Sequence, residues 1–291
     1  MLHANVTAII ELTFNLCYRR VCMYDMPGTG WSDAALVNNP VITAQVIEAM
    51  NEPGPFLILG NMDDGDQRAY QYALDHPENV KAVIPVVFGD ADEFSQQANF
   101  YGWAEEETLA VAASTLQQRM YTGDFINAIG VCWGIIPFFA TNPTYVPQEK
   151  AAESIFLNIY NEKQWTTNIN VLYNGVHQPS RWVSKHSLWA QRTDLDPAIP
   201  VFGFRLDLTT DQLLQQCIDF GYAVDSIECE FVFYDYNTTR TFNEAVVARN
   251  PLSRLFACTS CEGTNAFVIN QEANIPWFAE TLMTAVGDIR V

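Results

Sequence analysis

The arrangement of residues 56–88 constrains the fold most strongly, because it predicts a strand, a helix and a second strand joined by short connections. Residues 56–59 are an apolar run ended by Gly60, residues 63–75 have a helical pattern with three acidic residues in the first turn, and residues 80–88 form a second apolar run. Two strands joined through a helix run parallel, and a parallel sheet is covered by helices on both faces. The sequence therefore predicts an α/β fold with a mostly parallel sheet flanked by helices.

The residue composition and the helix and strand patterns change twice along the chain, and this predicts three segments. Residues 1–89 are expected to form the first part of the α/β core, residues 90–197 a mostly helical cap or insertion rich in aromatic residues, and residues 198–291 the second part of the core. The other predicted elements are helices over residues 6–18, 41–50, 211–220 and 276–286 and strands over residues 20–25, 199–204 and 254–258.

The charge of the chain argues against several classes of partner. With 34 acidic and 15 basic residues, the 291-residue chain has a formal net charge of −19. Such a surface repels phosphate backbones and anionic lipid headgroups, so we expect neither nucleic acid nor a membrane surface as a partner. No apolar run reaches the roughly 20 residues that span a bilayer, and the first residues do not have the pattern of a signal peptide. We expect a soluble globular protein; its compartment stays open, with the cytosol favoured over secretion.

Neither the glycines nor the cysteines predict a cofactor or a metal. The glycines of residues 27–30 are interpreted as turn residues, because a dinucleotide-binding fingerprint needs three spaced glycines that open a helix. Cys258 and Cys261 form a single CxxC motif without a second cysteine pair or nearby histidines, so zinc is not expected. A disulfide framework is not expected in a chain of this length either, although Cys217 and Cys229 could pair if the protein is secreted.

Two segments resemble the α/β-hydrolase superfamily. The sequence VCMYDMPGTGWSD at residues 21–33 is similar to that family's strand-to-loop signature. Residues 56–78 resemble its central unit, in which an apolar strand leads through a sharp nucleophile elbow (NMDDG, residues 61–65) into a helix that ends in His-Pro-Glu (residues 76–78). With the return of the αβ pattern near residue 199, the resemblance covers most of the chain. It implies an α/β-hydrolase-like fold with a helical cap.

The residue at the tip of the elbow depends on the alignment. Counting back from residues 76–78 places Asp63 at the tip, whereas counting from Gly60 places Met62 there; the helix register favours Asp63. The resemblance then implies Asp63 as a candidate nucleophile, as in epoxide hydrolases and haloalkane dehalogenases, with the backbone N–H of Asp64 as an oxyanion donor. The alternative is that Asp63 only caps the helix. A divalent-cation site at this acidic helix start is not expected, because the start of a helix lacks the acceptor geometry that calcium needs.

The resemblance also implies a histidine in the loop after the last strand, and the sequence does not supply it. Residues 259–266 contain no histidine, and Asn265 stands about where the histidine is expected. An amide has no pKa near neutrality and cannot act as a general base. His76 ends the elbow helix and is predicted to be structural. The other histidines are His3, which is near the start of the chain, and His177 and His186, which lie in the predicted cap and could point into a pocket.

The third member of a hydrolase triad is an acid, and several carboxylates stand in the places that the resemblance permits. Asp207 and Asp211 follow the predicted strand at residues 199–204, and Asp90 follows the preceding strand. We take Asp207 as the candidate acid.

The start of the chain departs from the family as well. Two or three strands and a His-Gly oxyanion segment normally precede the helix predicted at residues 6–18, and they are absent. The strand expected between residues 20–25 and residues 56–59 is among them, and its loss would leave two unpaired inner edges. A shortened product, a sheet that closes differently, or a protein partner that fills the gap would each account for this.

Two functions follow from these observations. The first is a degenerate α/β-hydrolase-fold protein without hydrolase activity that acts as a binding or scaffold subunit, with room for a small apolar ligand under the cap. The alternative is an active hydrolase that attacks a small ester, epoxide or halide through Asp63. The three losses, of serine, histidine and oxyanion strand, favour the first.

Overall fold

A computed structural model of the chain describes residues 22, 42–60, 62–86, 99–103, 114, 195–261 and 274–289. The chain divides into two compact units, Met1–Asn39 with Ala104–Val183 and Pro40–Trp103 with Ser184–Val291. Apart from residues 22 and 114, all of the described residues belong to the second unit. The helix predicted at residues 6–18 lies outside the described residues, as do the strand predicted at 20–25, apart from residue 22, and nearly all of the predicted cap.

The described residues form helices and parallel strands, so the mixed α/β class is confirmed. The strands are β1 (Phe56–Gly60), β2 (Val80–Pro85), β3 (Phe202–Leu206) and β4 (Arg254–Cys258). The helices are α1 (Ile42–Met50), α2 (Met62–Asp75), α3 (Thr210–Asp219), α4 (Ile227–Val247) and α5 (Ile275–Asp288), and a short 3₁₀ helix covers Pro77–Asn79.

The four strands pair in parallel, as the strand–helix–strand pattern predicts. β1 pairs with β2, and β3 pairs with β4, with Phe204 opposite Phe256. An isolated parallel bridge between Val83 and Val201 links the two pairs, and the Val83 N–H donates to the Pro200 carbonyl at 3.1 Å. The carboxyl ends of the strands therefore share one edge of the arrangement, which we call the carboxyl edge.

Helices cover both faces of the β3–β4 pair. Successive strand residues point to opposite faces, and Arg205 reaches Glu244 of α4 whereas the Phe204 ring lies 4.8 Å from Phe278 of α5. On the α4 side, one buried apolar cluster also contains residues of α2 and β2. All five residues of β3 are buried, because each face has a helix against it.

The sequence patterns did not predict helix α4. α4 is 21 residues long, but its sequence is rich in aromatic and β-branched residues that have weak helix propensity. The sequence does show features typical of a helix start at this point. Ser226 stands at the N-cap, where its hydroxyl accepts from the Cys229 N–H, and two acidic residues stand in the first turn. The neighbouring α3 was predicted correctly and begins at a capping box formed by Thr209 and Gln212.

The strand predicted at residues 199–204 begins later than expected, at Phe202. The Ile199 N–H donates to the Asp196 carbonyl at 2.8 Å, which makes the preceding residues a turn. Pro200 has no N–H to add to a ladder, so regular pairing with β4 starts after it.

We predict that Phe204→Ala lowers the free energy of unfolding of the full chain by about 3–5 kcal/mol, because it leaves a cavity between β3 and α5. Urea-induced unfolding followed by circular dichroism measures the change. The control is Leu252→Ala, since Leu252 is 62% exposed and its replacement should change stability by no more than about 0.5 kcal/mol. Equal losses in the two variants would contradict this packing.

Candidate functional site

The turn between β1 and α2 holds the predicted elbow. β1 ends at Gly60 and α2 begins at Met62, so a single residue separates strand from helix. Asp63 and Asp64 are the second and third residues of α2, and their side chains lie outside the described part of the structure. The first backbone N–H groups of a helix have no partner within it, so this turn directs free donors to the carboxyl edge.

Of the other predicted site residues, Asp207 lies at the same edge, directly after β3, and Asp211 is exposed in the first turn of α3. The Asp207 N–H donates to the Cys258 carbonyl at 2.9 Å, which ties the carboxyl ends of β3 and β4 together. Asn265 and Asp90 lie outside the described residues.

The side chain of Asp207 belongs to a network of charged groups. Its carboxylate lies 3.8 Å from the guanidinium of Arg205 and 3.9 Å from that of Arg240. It also accepts a hydrogen bond of 3.3 Å from the hydroxyl of Tyr236, which in turn accepts from the Leu208 N–H at 2.9 Å. Every one of these groups belongs to β3, to α4 or to the segment that follows β3.

Glu244 of α4 completes the network on its other side. Its carboxylate lies 3.4 Å from Arg205 and 3.0 Å from the Nε of Arg240. The hydrogen bond from Arg240 lowers the pKa of Glu244, and the charge of Arg205 lowers it further. The same bond raises the pKa of Arg240.

The burial of Arg205 explains this arrangement. Arg205 is only 8% exposed, and a buried guanidinium is tolerated only beside carboxylates and hydrogen-bond acceptors. Asp207 and Glu244 supply these charges, so Asp207 acts as a counterion within the fold. Sequence reasoning missed the roles of Arg205, Tyr236, Arg240 and Glu244; the available signal was a charged residue inside an otherwise apolar strand.

His76 is at the opposite edge. α2 starts at the carboxyl edge and returns to the start of β2, and His76 lies just beyond its last residue. The imidazole is half-buried, with its ring centroid 4.9 Å from that of Tyr72. In the described part of the chain no other histidine occurs, since His3, His177 and His186 lie outside it.

Both cysteine pairs considered from the sequence are disulfides. Cys217 pairs with Cys229, and Cys258 pairs with Cys261 at the carboxyl end of β4. The second disulfide is buried among apolar side chains that include Leu206. It closes the first residues of the loop in which the histidine was expected.

A small cavity of about 10 Å³ lies between Val201, Val246 and Ser253, at the edge opposite the carboxyl edge. A volume of this size holds about one water molecule, so it is too small for an organic ligand. The pocket expected under the cap involves residues outside the described part.

No protein-family model matches the chain, and no protein of curated function matches its sequence. Among the helices that the structure describes, none combines the length and apolarity needed to cross a membrane. Within the same described ranges, no three histidine, cysteine or acidic side chains converge as a metal site would require.

We predict that Tyr236→Phe lowers the free energy of unfolding by about 1–2 kcal/mol, because the Leu208 N–H and the Asp207 carboxylate both lose a partner. Chemical denaturation of the full chain measures this loss. Tyr222→Phe is the matched control, since Tyr222 is exposed and should be neutral. An equally neutral Tyr236→Phe would show that the network does not stabilise the fold.

We also predict that the stability contributed by the pair of Arg240 and Glu244 depends on pH. Because the folded-state pKa of Glu244 is lowered, the stabilisation is fully present above the ordinary pKa of a glutamate and is lost as the pH falls through the lowered value. Glu244→Gln should therefore be less stable than the wild type near neutral pH by at least the about 0.3–0.5 kcal/mol of an exposed helix pair, because Glu244 is also a counterion of the buried Arg205. The difference should shrink as the pH falls below the ordinary pKa of a glutamate. A constant difference in urea titrations across this range would contradict the assignment.

Proposed function

We propose that the chain is an α/β-hydrolase-like protein that binds or scaffolds a partner and does not hydrolyse substrates. The resemblance at residues 21–33 and 56–78 motivates the fold. It is supported by the parallel pairing of all four described strands, the sharp turn from β1 into α2, and the position of Asp207 after β3.

The proposed absence of catalysis rests on the contacts of Asp207. A triad acid must accept a hydrogen bond from the N–H of a histidine so that the imidazole is oriented and its cationic form stabilised. Here the carboxylate neutralises the buried Arg205 and accepts from Tyr236. Turning Asp207 towards a histidine would leave Arg205 with Glu244 alone, whose side chain is 52% exposed.

The exposure of β1 supports a binding role. A run of consecutive apolar residues is typical of a strand covered on both faces, but three residues of β1 are only half-buried and Leu59 is 38% exposed. Among the described strands, only β2 pairs with β1. A protein partner that covers β1 would remove this apolar surface from water.

The turn between β1 and α2 favours one alternative, an active hydrolase that uses Asp63 on a small ester, epoxide or halide. A strand followed after one residue by a helix is the geometry that an elbow needs, and it brings the free N–H groups of the first helical turn beside Asp63.

Turnover of small substrates distinguishes the two functions. We expect the full chain to hydrolyse nitrophenyl esters, styrene oxide and bromobutane no faster than buffer does, and we expect Asp63→Asn to behave identically. The control is Asp75→Asn, at the exposed far end of α2. Turnover that is lost in Asp63→Asn and kept in Asp75→Asn would overturn the proposal and establish the hydrolase.

A further inference from the structure

The loop between α3 and α4 presents large apolar side chains to solvent, next to a tryptophan from another part of the same unit. The apolar patch consists of Trp103, Ile218, Phe220, Tyr222, Val224 and Ile227, with exposed fractions of 47, 54, 52, 39, 53 and 51%. Side chains of this size, about half exposed, present on the order of 500 Å² of surface. Patches of that size on a monomer are often binding sites.

The apolar patch is held in shape by covalent and aromatic contacts. The disulfide between Cys217 and Cys229 brings their Cα atoms within 5.3 Å, so that the residues between them form a closed loop. The ring of Tyr101 stacks on Trp103 at 4.6 Å and lies 5.5 Å from Phe231 of α4. A surface ordered before binding loses less conformational entropy when a partner docks.

Electrostatic contacts join the tryptophan side of the patch to the loop. Burial raises the pKa of Tyr101, and the neighbouring Glu228 carboxylate and Tyr222 phenol raise it further. Because Tyr101 stacks on Trp103 and packs against Phe231 of α4, Trp103 lies near the start of the helix that follows the loop.

The segment that carries most of the apolar patch is acidic. Residues 206–239 contain seven Asp and Glu and neither Lys nor Arg. Four of these acids are exposed at the patch and form no salt bridge in the part of the chain that the structure describes: Asp219, Asp225, Glu228 and Glu230. Hydrogen bonds from its own backbone N–H and from Ser226 lower the pKa of Glu228, which keeps it anionic.

We propose that the apolar patch docks a cationic amphipathic segment of a partner protein, with apolar side chains against Phe220, Val224 and Ile227 and Lys or Arg against the surrounding carboxylates. This inference deepens the proposed binding role and rests on it. Charge decides among the occupants, because a second copy would bring acidic loop against acidic loop and an anionic bilayer or nucleic acid would be repelled. A basic partner gains attraction and apolar burial at once.

The probe is a synthetic amphipathic helix of about 15 Leu and Lys residues with a terminal fluorophore, titrated with the full chain by fluorescence anisotropy. We expect saturable binding that weakens as salt is added. Combining Phe220→Ser, Val224→Ser and Ile227→Ser should weaken binding about tenfold or more. Combining Asp219→Asn, Asp225→Asn and Glu228→Gln, which leaves the apolar surface intact, should weaken it several-fold and flatten the salt dependence.

Leu252→Ser is the matched control, because Leu252 is as exposed as the patch residues but lies beside β4. A loss of binding in this variant equal to that in the apolar triple variant would overturn the proposal. Equal binding of a Leu/Glu helix or of a scrambled Leu/Lys peptide would also overturn it. Self-association of the chain that the triple variant abolishes would identify a second copy as the occupant instead, and binding to phosphatidylserine vesicles would identify a membrane.

The two proposals fail separately, because none of these variants touches the turn between β1 and α2. A chain that binds the peptide and also turns over substrate through Asp63 would overturn the non-catalytic function and leave the docking surface in place. A chain that does neither would overturn the docking surface alone.

Discussion

The complete burial of β3 is the constraint on which the rest of the described structure depends. A strand buried on both faces needs a hydrogen-bonded neighbour on each side and a helix against each face. β4 pairs with β3 on one side, the bridge between Val83 and Val201 links its start to β2, and α4 and α5 cover its two faces. The carboxyl edge follows from this arrangement, since parallel strands end together.

A charge inside that strand determines how the carboxyl edge is used. Arg205 is the buried cation of β3, and Asp207 and Glu244 lie beside it because an unpaired guanidinium would cost several kcal/mol. The same contacts fasten α4 to β3 through Tyr236 and Arg240. The acid that the hydrolase resemblance assigns to catalysis is thus also a counterion of a buried arginine and a contact between β3 and α4.

The acidic character of the chain has a local counterpart in the loop between α3 and α4. Net charge alone argues against partners such as nucleic acid, but it does not identify a binding surface. The apolar patch does identify a binding surface, because its large apolar side chains are exposed to water, whereas even the charged Arg205 of β3 is buried. Among the described residues, exposed aromatic side chains stand there beside carboxylates that form no salt bridge, which are the features of a site for a basic and apolar partner.

The sequence by itself determined the local elements and their parallel order. β1, α2, β2, α3, β4 and α5 follow from apolar periodicity, from capping residues and from turn residues, which act within a few positions along the chain. Only the tertiary structure decided the rest: that residues 227–247 are helical, that Asp207 pairs with Arg205 and Arg240, and that residues 218–227 remain exposed. Glu244 is 39 positions from Arg205, and no local pattern records which distant side chains will meet when two helices close over a strand.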